Sequence, residues 1–130
     1  MRISSIALVV VSLAAAAVDN GWAVDGNDTS RGRELFEKRC GGCHTLDDNK
    51  IGPPLRKSFD QRAGANRKFP YSDALQKARP VWDEQTLDRW LMDSESVVPD
   101  TDMSFRLDRA DERAAIIRYL KQLSTEAGRH

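Results

Sequence analysis

The chain has 130 residues, of which 20 are lysine or arginine and 20 are aspartate or glutamate, so its formal net charge at pH 7 is zero. This length is typical of one domain, and the neutral balance argues against a nucleic-acid-binding protein, which would carry a basic excess. Only two cysteines and two histidines are present, and this disfavours a structural zinc site, which needs about four ligands.

The first residues have the pattern of a secretory signal peptide. Arg2 provides a positive start, residues 6–18 are apolar or small, and Ala23 ends a Gly-Trp-Ala sequence suited to signal peptidase. The apolar run is shorter than the roughly 20 residues that span a bilayer. We therefore predict a signal peptide at residues 1–23, export to the periplasm and a mature domain at residues 24–130 without a membrane span. Cleavage after Ala17 and an uncleaved anchor are the alternatives.

A first helix is predicted from Ser30, which can cap it, to about Arg39, with Leu35 and Phe36 on one side. Gly32 inside this helix costs about 1 kcal/mol relative to alanine. A close crossing with another helix would explain the glycine.

The helix leads into the sequence Cys40-Gly41-Gly42-Cys43-His44. Two thiols at this spacing, followed directly by a histidine, are typical of covalent haem attachment. In such a site each sulfur adds to one vinyl group, and the imidazole of His44 binds the iron. The motif therefore predicts one covalent haem c with its iron. Export agrees with this prediction, because c-type haem is attached outside the cytoplasm.

The two cysteines have other interpretations. In an exported chain, Cys40 and Cys43 can form a small disulfide or a thioredoxin-like redox pair. A redox pair would follow a buried strand, whereas residues 31–39 are charged and helical in pattern. A zinc site would need His130, at the tail, and further ligands. These residues favour haem attachment.

The region after the motif is rich in loops. Residues 52–55, Gly-Pro-Pro-Leu, cannot lie inside a helix and predict a turn, and residues 59–70 are basic and irregular. Ser72 is expected to cap a short helix that ends near Lys77, before Pro80.

A clearer helix is predicted from Asp83, its cap, to about Ser94, with apolar residues on one face. Residues 97–103 are predicted to form a non-helical loop. The last helix opens at residues 111–113, and its apolar residues form a single stripe. The apolar face of the helix capped by Asp83 consists of Leu87, Trp90 and Leu91. The apolar stripe of the last helix consists of Ile116, Tyr119, Leu120 and Leu123. Because no segment alternates as a strand does, the predicted fold class is all-α, with the first and last helices paired.

A second iron ligand is expected opposite His44, and three residues of the mature chain have suitable atoms. Met92 lies in a predicted helix, where a core role is the default, and His130 is terminal. Met103 lies in a proline-shaped loop long enough to reach the far side of a haem, so we predict that it is the ligand. A thioether opposite an imidazole raises the reduction potential and leaves no open position, which favours electron carriage over oxygen chemistry.

These features, in this order, resemble the class I cytochromes c over residues 30–124. The haem motif alone is a strong signal, and the ordered series around it makes a chance likeness implausible. The matching residues are Gly32, Phe36, Cys40, Cys43, His44, Gly52, Pro53, Pro54, Leu55, Tyr71, Ser72, Asp73, Ala74, Leu75, Trp82, Leu87, Trp90, Leu91, Pro99, Thr101, Met103, Phe105, Ile116, Tyr119 and Leu120.

The resemblance implies a class I cytochrome c fold, with about four helices and long loops around one covalent haem, in a monomer. It implies thioether bonds to the haem at Cys40 and Cys43, and iron ligation by His44 and Met103. It also implies a hydrogen bond from the His44 ring to the Pro53 carbonyl. The side chains of Tyr71 and Trp82 would contact a haem propionate or its neighbours.

The chain also departs from the family. Asp100 and Asp102 stand where better-known members have glycine and lysine, and Glu95 stands where lysine is usual. Gln61 occupies the place of a propionate-facing arginine, with Arg62 beside it. Residues 31–80 hold twelve basic and six acidic residues, whereas residues 81–130 hold seven basic and eleven acidic ones. We therefore expect a basic cysteine side and an acidic methionine side.

The sequence thus predicts a soluble periplasmic one-electron carrier that is not an enzyme and that acts with redox protein partners. Two alternatives belong to other classes. The chain could be a dedicated electron-accepting subunit of a periplasmic dehydrogenase or sulfur-oxidising complex. With a labile Met103, it could be a haem enzyme or a gas-binding protein. The sequence names neither donor nor acceptor, and it does not set the reduction potential.

Overall fold

The computed structural model describes residues 26–129. Within them the chain forms five helices: α1 (Gly26–Arg39), α2 (Asp73–Lys77), α3 (Glu84–Met92), α4 (Ser94–Val97) and α5 (Ala110–Ala127). This part of the chain contains no strand, and a single antiparallel bridge joins Arg62 to Val81. The predicted all-α class is confirmed, with one short helix more than expected.

The predicted signal peptide of residues 1–23, both cleavage positions Ala23 and Ala17, and His130 lie outside the described residues. Between residues 26 and 129, no helix has the length and apolar character needed to cross a lipid bilayer.

The first and last helices cross closely at Gly32. A Cβ atom on this glycine would lie 2.5 Å from the Ala115 carbonyl oxygen and 2.8 Å from Tyr119 Cβ, so any side chain there would collide with α5. Beside the crossing, the rings of Phe36 and Tyr119 lie 5.8 Å apart. The crossing predicted from the glycine is therefore confirmed.

Two of the short connections end in helix caps. The Oγ of Ser72 accepts a hydrogen bond from the Leu75 N–H at 3.4 Å, and Asp83 Oδ1 accepts one from the Thr86 N–H at 2.7 Å. Each satisfies an N–H group that has no partner within the helix. Both predicted caps are confirmed.

Two predicted boundaries were wrong. Helix α1 begins at Gly26, not at Ser30. The helix expected to reach Ser94 ends at Met92, because Asp93 adopts an extended backbone with φ −163° and ψ 99°. Ser94 then begins α4, whose single turn extends into the segment predicted as a loop.

The core lies where α1, α3 and α5 meet. Its aromatic members include Phe36 from α1, Trp90 from α3 and Tyr119 from α5, and Ile116 at its centre is fully buried. The indole rings of Trp82 and Trp90 lie 4.9 Å apart and extend this core toward the loops. Helices α3 and α5 thus form a rigid support beneath the loop-rich side of the molecule.

A buried arginine fixes the start of α5. Arg113 is 6% exposed, its Nε donates to Asp88 Oδ1 at 2.7 Å, and its Nη1 donates to the carbonyls of Leu107 and Asp108 at 2.9 Å each. The arginine joins α3, α5 and the end of the segment that precedes α5.

That segment, residues 101–107, is extended along one side of the molecule. Burial alternates along it: Thr101 and Leu107 are buried, Met103 and Phe105 are half-buried, and the residues between them are exposed. This period of two is the one that an extended chain imposes. It places Met103 on the inner face without forming a strand.

Candidate haem site

The loops and helices enclose one large cavity of about 1080 Å³. Its volume is slightly above the roughly 300–1,000 Å³ that ligand pockets occupy. All seven site residues predicted from the sequence line it: Cys40, Cys43, His44, Pro53, Tyr71, Trp82 and Met103. The structure therefore brings together residues that are up to 63 positions apart in the chain.

The cysteine motif continues the end of α1 as a tight turn. Cys40 N donates to the Phe36 carbonyl at 2.8 Å, and the N–H groups of Cys43 and His44 both donate to the Cys40 carbonyl, at 3.0 and 2.9 Å. Gly41 allows this turn, because a Cβ there would lie 2.5 Å from the Glu37 carbonyl oxygen. The helix end thus presents two thiols and an imidazole to one cavity.

The environment of the thiols does not suit a redox pair. No disulfide joins Cys40 to Cys43 in the structure, and burial, with a smaller effect of Cys43, raises the pKa of Cys40 to about 11. Reactive cysteine pairs depend on a lowered pKa, because the thiolate is the nucleophile. No strand precedes Cys40 in the described chain, either.

The His44 ring is held on two sides. It is 8% exposed, and its Nδ1 lies 2.8 Å from the Pro53 carbonyl oxygen. Gly52 packs against the ring so closely that a Cβ there would lie 2.3 Å from Cε1 and 2.8 Å from Nε2. The Gly52 N–H donates in turn to the Cys43 carbonyl at 2.8 Å, which ties the turn back to the motif.

These contacts determine the chemical state of the imidazole. Burial lowers the pKa of His44, although the hydrogen bond to Pro53 acts in the opposite direction. A neutral ring carries one N–H, and since a carbonyl can only accept, Nδ1 carries the hydrogen. The lone pair is then on Nε2, where a metal ion can bind.

The wall also contains Met103. Its N–H donates to Thr101 Oγ1 at 3.3 Å, and its carbonyl accepts a hydrogen bond from the hydroxyl of Ser94. The other candidate thioether, Met92, is 43% exposed on α3 and does not line the cavity. Of the two described methionines considered as ligands, only Met103 is placed at the site.

The polar side chains of the wall come from the loops. Tyr71 is half-buried, and its ring packs edge-on against Phe69 at 4.9 Å between centroids. Trp82 donates its backbone N–H to the Gln61 carbonyl at 2.9 Å. Both Gln61 and Arg62 line the cavity, and Arg62 Nη1 also lies 3.5 Å from the Ala78 carbonyl oxygen.

The cavity wall fits a haem. Most of it is apolar, as a porphyrin requires, and two thiols, one neutral imidazole and one thioether provide the atoms for attachment and iron binding. A few hydrogen-bond donors are available for the carboxylates of the group. The apolar lining consists of Leu46, Ile51, Leu55, Leu75, Leu87, Trp90, Leu91, Phe105, Ile116 and Leu120.

Sequence reasoning missed two contributions to this site. Gly52 was predicted only as part of a turn, yet it is the surface on which the His44 ring packs. Ser94 was predicted only as a helix end, yet it is fully buried and bonded to the Met103 segment. The expectation that no segment alternates was wrong for this segment, because apolar and polar residues alternate from Met103 to Leu107.

Comparisons with known proteins agree with this geometry. The sequence model of the family described as cytochrome c matches residues 29–124. Cytochrome c of Gibberella zeae is 35% identical over 100 residues, which cover 74% of this chain and 94% of the relative. Cytochrome c type-1 of Ascaris suum is 36% identical over 98 residues, covering 73% and 88%. The solved structure of cytochrome cH from Methylobacterium extorquens has a TM-score of 0.69 at 34% identity, covering 73% of this chain and 98% of that one.

The fold and the site thus define a class I c-type cytochrome, a class of haem-based electron carriers and not of enzymes. The chain belongs to the cytochrome c family. As in the rest of this family, the cofactor is a covalently attached haem c with its iron.

Proposed function

We propose that this protein is a periplasmic one-electron carrier in which Cys40 and Cys43 would hold the haem covalently and His44 and Met103 would bind its iron. One observation carries the proposal: the two thiols, the imidazole and the thioether line the same largely apolar cavity. When bound, the haem supplies an iron that gains and loses one electron.

The residues of the chain adjust that chemistry. The hydrogen bond from His44 to the Pro53 carbonyl orients the imidazole and makes it a better electron donor to a metal. A thioether from Met103 raises the reduction potential. With both residues as ligands no open position is left, so no catalytic acid, base or nucleophile is required of the protein.

Tyr71 and Trp82 are proposed to bind the propionates. Both line the cavity, and burial raises the pKa of Tyr71, so its hydroxyl keeps the hydrogen that it would donate. The indole N–H of Trp82 can only donate. Gln61 and Arg62 line the same region, and either can add a donor to a carboxylate.

Electron exchange is proposed to occur where the cavity reaches the surface. Cys43 and Ile51 both line the cavity, yet Cys43 is exposed and Ile51 is 74% exposed. A large apolar side chain this exposed beside the cavity suits a brief contact with a protein partner.

The charges around the cavity indicate which partners fit. Lys57 and Lys68 are exposed on its loop side. On the Met103 side, Asp100 and Asp102 are exposed, and their carboxylates form no ion pair among the described residues. Since complementary charges mainly set encounter rate and register, we propose that partners presenting carboxylates to the Met103 side associate slowly.

Ionic strength tests the charge proposal. Oxidation of the reduced protein by a mitochondrial-type oxidase, which accepts electrons from basic carriers, is measured over increasing salt. We expect a slow rate at low salt that does not fall, and rises slightly, as added salt screens the repulsion. A fast rate that falls steeply with salt would contradict the proposal.

Export and the mature domain of residues 24–130 remain part of the proposal, and they rest on residues 1–23 of the sequence. Amino-terminal sequencing of the protein from the periplasmic fraction of its native host tests them. A start at Val24 is expected, a start at Val18 would indicate cleavage after Ala17, and a start at Met1 would contradict cleavage.

The carrier function is tested by a reductive titration together with carbon monoxide. We expect the visible spectrum to change with one electron per haem, and the reduced protein to bind carbon monoxide only slowly at neutral pH. Rapid stoichiometric binding would overturn the proposal in favour of a gas-binding or peroxidase function. Isolation only in a fixed ratio with a dehydrogenase would instead indicate a dedicated subunit.

A further inference from the structure

We infer that Ser94 is the positioning residue of the Met103 segment: its hydroxyl holds the backbone of residues 103–105 and so determines how firmly Met103 closes the second axial position. The inference rests on the proposed function, because it takes Met103 as the ligand.

The contacts of Ser94 converge on one short piece of chain. The residue is fully buried. Its Oγ donates to the Met103 carbonyl, lies 3.2 Å from the Phe105 carbonyl oxygen, and accepts the Phe105 N–H at 2.9 Å. Its own backbone N–H donates to the Phe105 carbonyl at 3.1 Å. A single side chain therefore bonds both residues that flank Ser104.

Little else holds this part of the segment. The other hydrogen bond at the Met103 backbone runs from its N–H to Thr101 Oγ1, at 3.3 Å. Farther on, the chain is fixed independently, because the Leu107 N–H donates to the Leu91 carbonyl at 2.9 Å and Arg113 binds the Leu107 carbonyl. Loss of the Ser94 hydroxyl should thus loosen the middle of the segment and leave its end in place.

The size of the effect follows from burial. Without the hydroxyl, the Met103 carbonyl and the Phe105 N–H lose the partner that the fully buried Ser94 provides. A lost partner of this kind shifts a local opening equilibrium on the order of tenfold or more. The shift should appear as a weaker bond between Met103 sulfur and iron.

The same helical turn offers a matched control. Ser96 is exposed, and its Oγ donates to the Asp93 carbonyl at 2.7 Å, away from the Met103 segment. Ser94→Ala and Ser96→Ala remove the same atom from the same short helix, but only the first change touches the segment.

The experiment uses the haem-loaded protein and two signals in one urea titration. The weak near-infrared sulfur-to-iron band of the oxidised form reports the Met103 bond, and far-ultraviolet circular dichroism reports the helices. We expect S94A to lose the band at a lower urea concentration than the helices, and its reduced form to bind carbon monoxide on the order of tenfold faster than wild type. S96A should match wild type. If S94A matches S96A, or loses band and helices together at a lower midpoint, the inference is overturned.

Amide exchange in the unchanged protein provides a second test if S94A does not fold. The Phe105 N–H, which donates to Ser94, should exchange with deuterium on the order of tenfold more slowly than the N–H of Asp102, on the exposed side of the same segment. Equal exchange rates would overturn the inference.

A third variant separates this inference from the proposed function. If the near-infrared band is absent from wild type, or persists in Met103→Ala, the assignment of Met103 as a ligand fails. If the band is normal in wild type and absent in Met103→Ala, but S94A behaves as S96A, only the role of Ser94 fails.

Discussion

The two walls of the cavity are held in different ways. The His44 wall continues α1 as a backbone hydrogen-bonded turn, and the ring is packed against Gly52 and bonded to the Pro53 carbonyl. The Met103 wall is an extended segment that side chains of Ser94 and Arg113 hold from outside it. Around Met103 itself, the second wall depends mainly on side-chain hydrogen bonds, although backbone hydrogen bonds also hold Phe105 and Leu107. We therefore expect the Met103 wall to loosen first under stress.

The largest effect is expected from removal of the arginine that anchors the Met103 wall. Arg113→Ala should lower the free energy of unfolding by about 3 kcal/mol, because the carbonyls of Leu107 and Asp108 lose a buried donor. Urea unfolding followed by circular dichroism measures this. The matched control is Arg109→Ala: Arg109 is largely exposed, with ion pairs to Asp111 and Glu112, and its loss should lower the stability far less than the loss of Arg113, because solvent screens exposed ion pairs. Equal losses would contradict a specific anchor.

The corresponding change on the other wall is Gly52→Ala. A methyl group there would displace the His44 ring, and overpacking of this kind costs about 1–3 kcal/mol. We expect a lower yield of haem-loaded protein and a lower urea midpoint. Gly42→Ala is the matched control, because no atom lies within 4 Å of a Cβ at that position. If the two variants give the same yield and midpoint, the packing of the ring on Gly52 is not important.

The smallest effect is expected from a charge that touches neither wall. Asp111 on α5 pairs with Arg31 of α1 at 2.5 Å and with Arg109 at 3.0 Å. Hydrogen bonds from Arg109 and then Arg31 lower the pKa of Asp111 from 3.8 to about 2. Asp111→Asn should weaken the crossing of α1 and α5 slightly, without shifting the near-infrared band relative to the helices.

The pH dependence of this effect has a definite sign. Since the pKa of Asp111 is lower in the folded chain than in the unfolded one, the unfolded state binds more protons, and the carboxylate stabilises the fold above about pH 4. The stability difference between wild type and Asp111→Asn should shrink as the pH falls from about 4 to about 2, and it should also shrink with added salt. A difference that grows over this pH range would contradict the assignment.

The contrast between the His44 wall and the Met103 wall also explains how much of the structure the sequence could predict. Some residues favour one local structure strongly, and these gave correct predictions. The cysteine motif predicted a covalent haem, Gly32 predicted the helix crossing, and Ser72 and Asp83 predicted helix caps. The class of fold and the residues around the cavity followed from them and from the family resemblance.

What sequence reasoning missed depends on contacts that leave no local pattern. A serine at position 94 can cap a helix, lie on the surface or bond a distant carbonyl, and only the packing of α4 on the Met103 segment decides among these. From the sequence, Arg113 was only one of three charged residues in the first turn of the last helix. In the structure its side chain is buried and donates a hydrogen bond to the Leu107 carbonyl. At the break after Met92, Asp93 is extended and the Ser94 N–H donates to the Phe105 carbonyl, a contact that no local sequence pattern indicates.

Met103 is proposed to bind the haem iron together with His44, and proton NMR of the reduced protein tests this assignment. A methyl group bound to iron lies over the porphyrin, whose ring current moves its signal far upfield of other methyl signals. We predict one such three-proton signal in wild type, lost in Met103→Ala and retained in Met92→Ala, since Met92 is 43% exposed and outside the cavity wall. A signal that persists in Met103→Ala, or that is absent from wild type, would contradict the account.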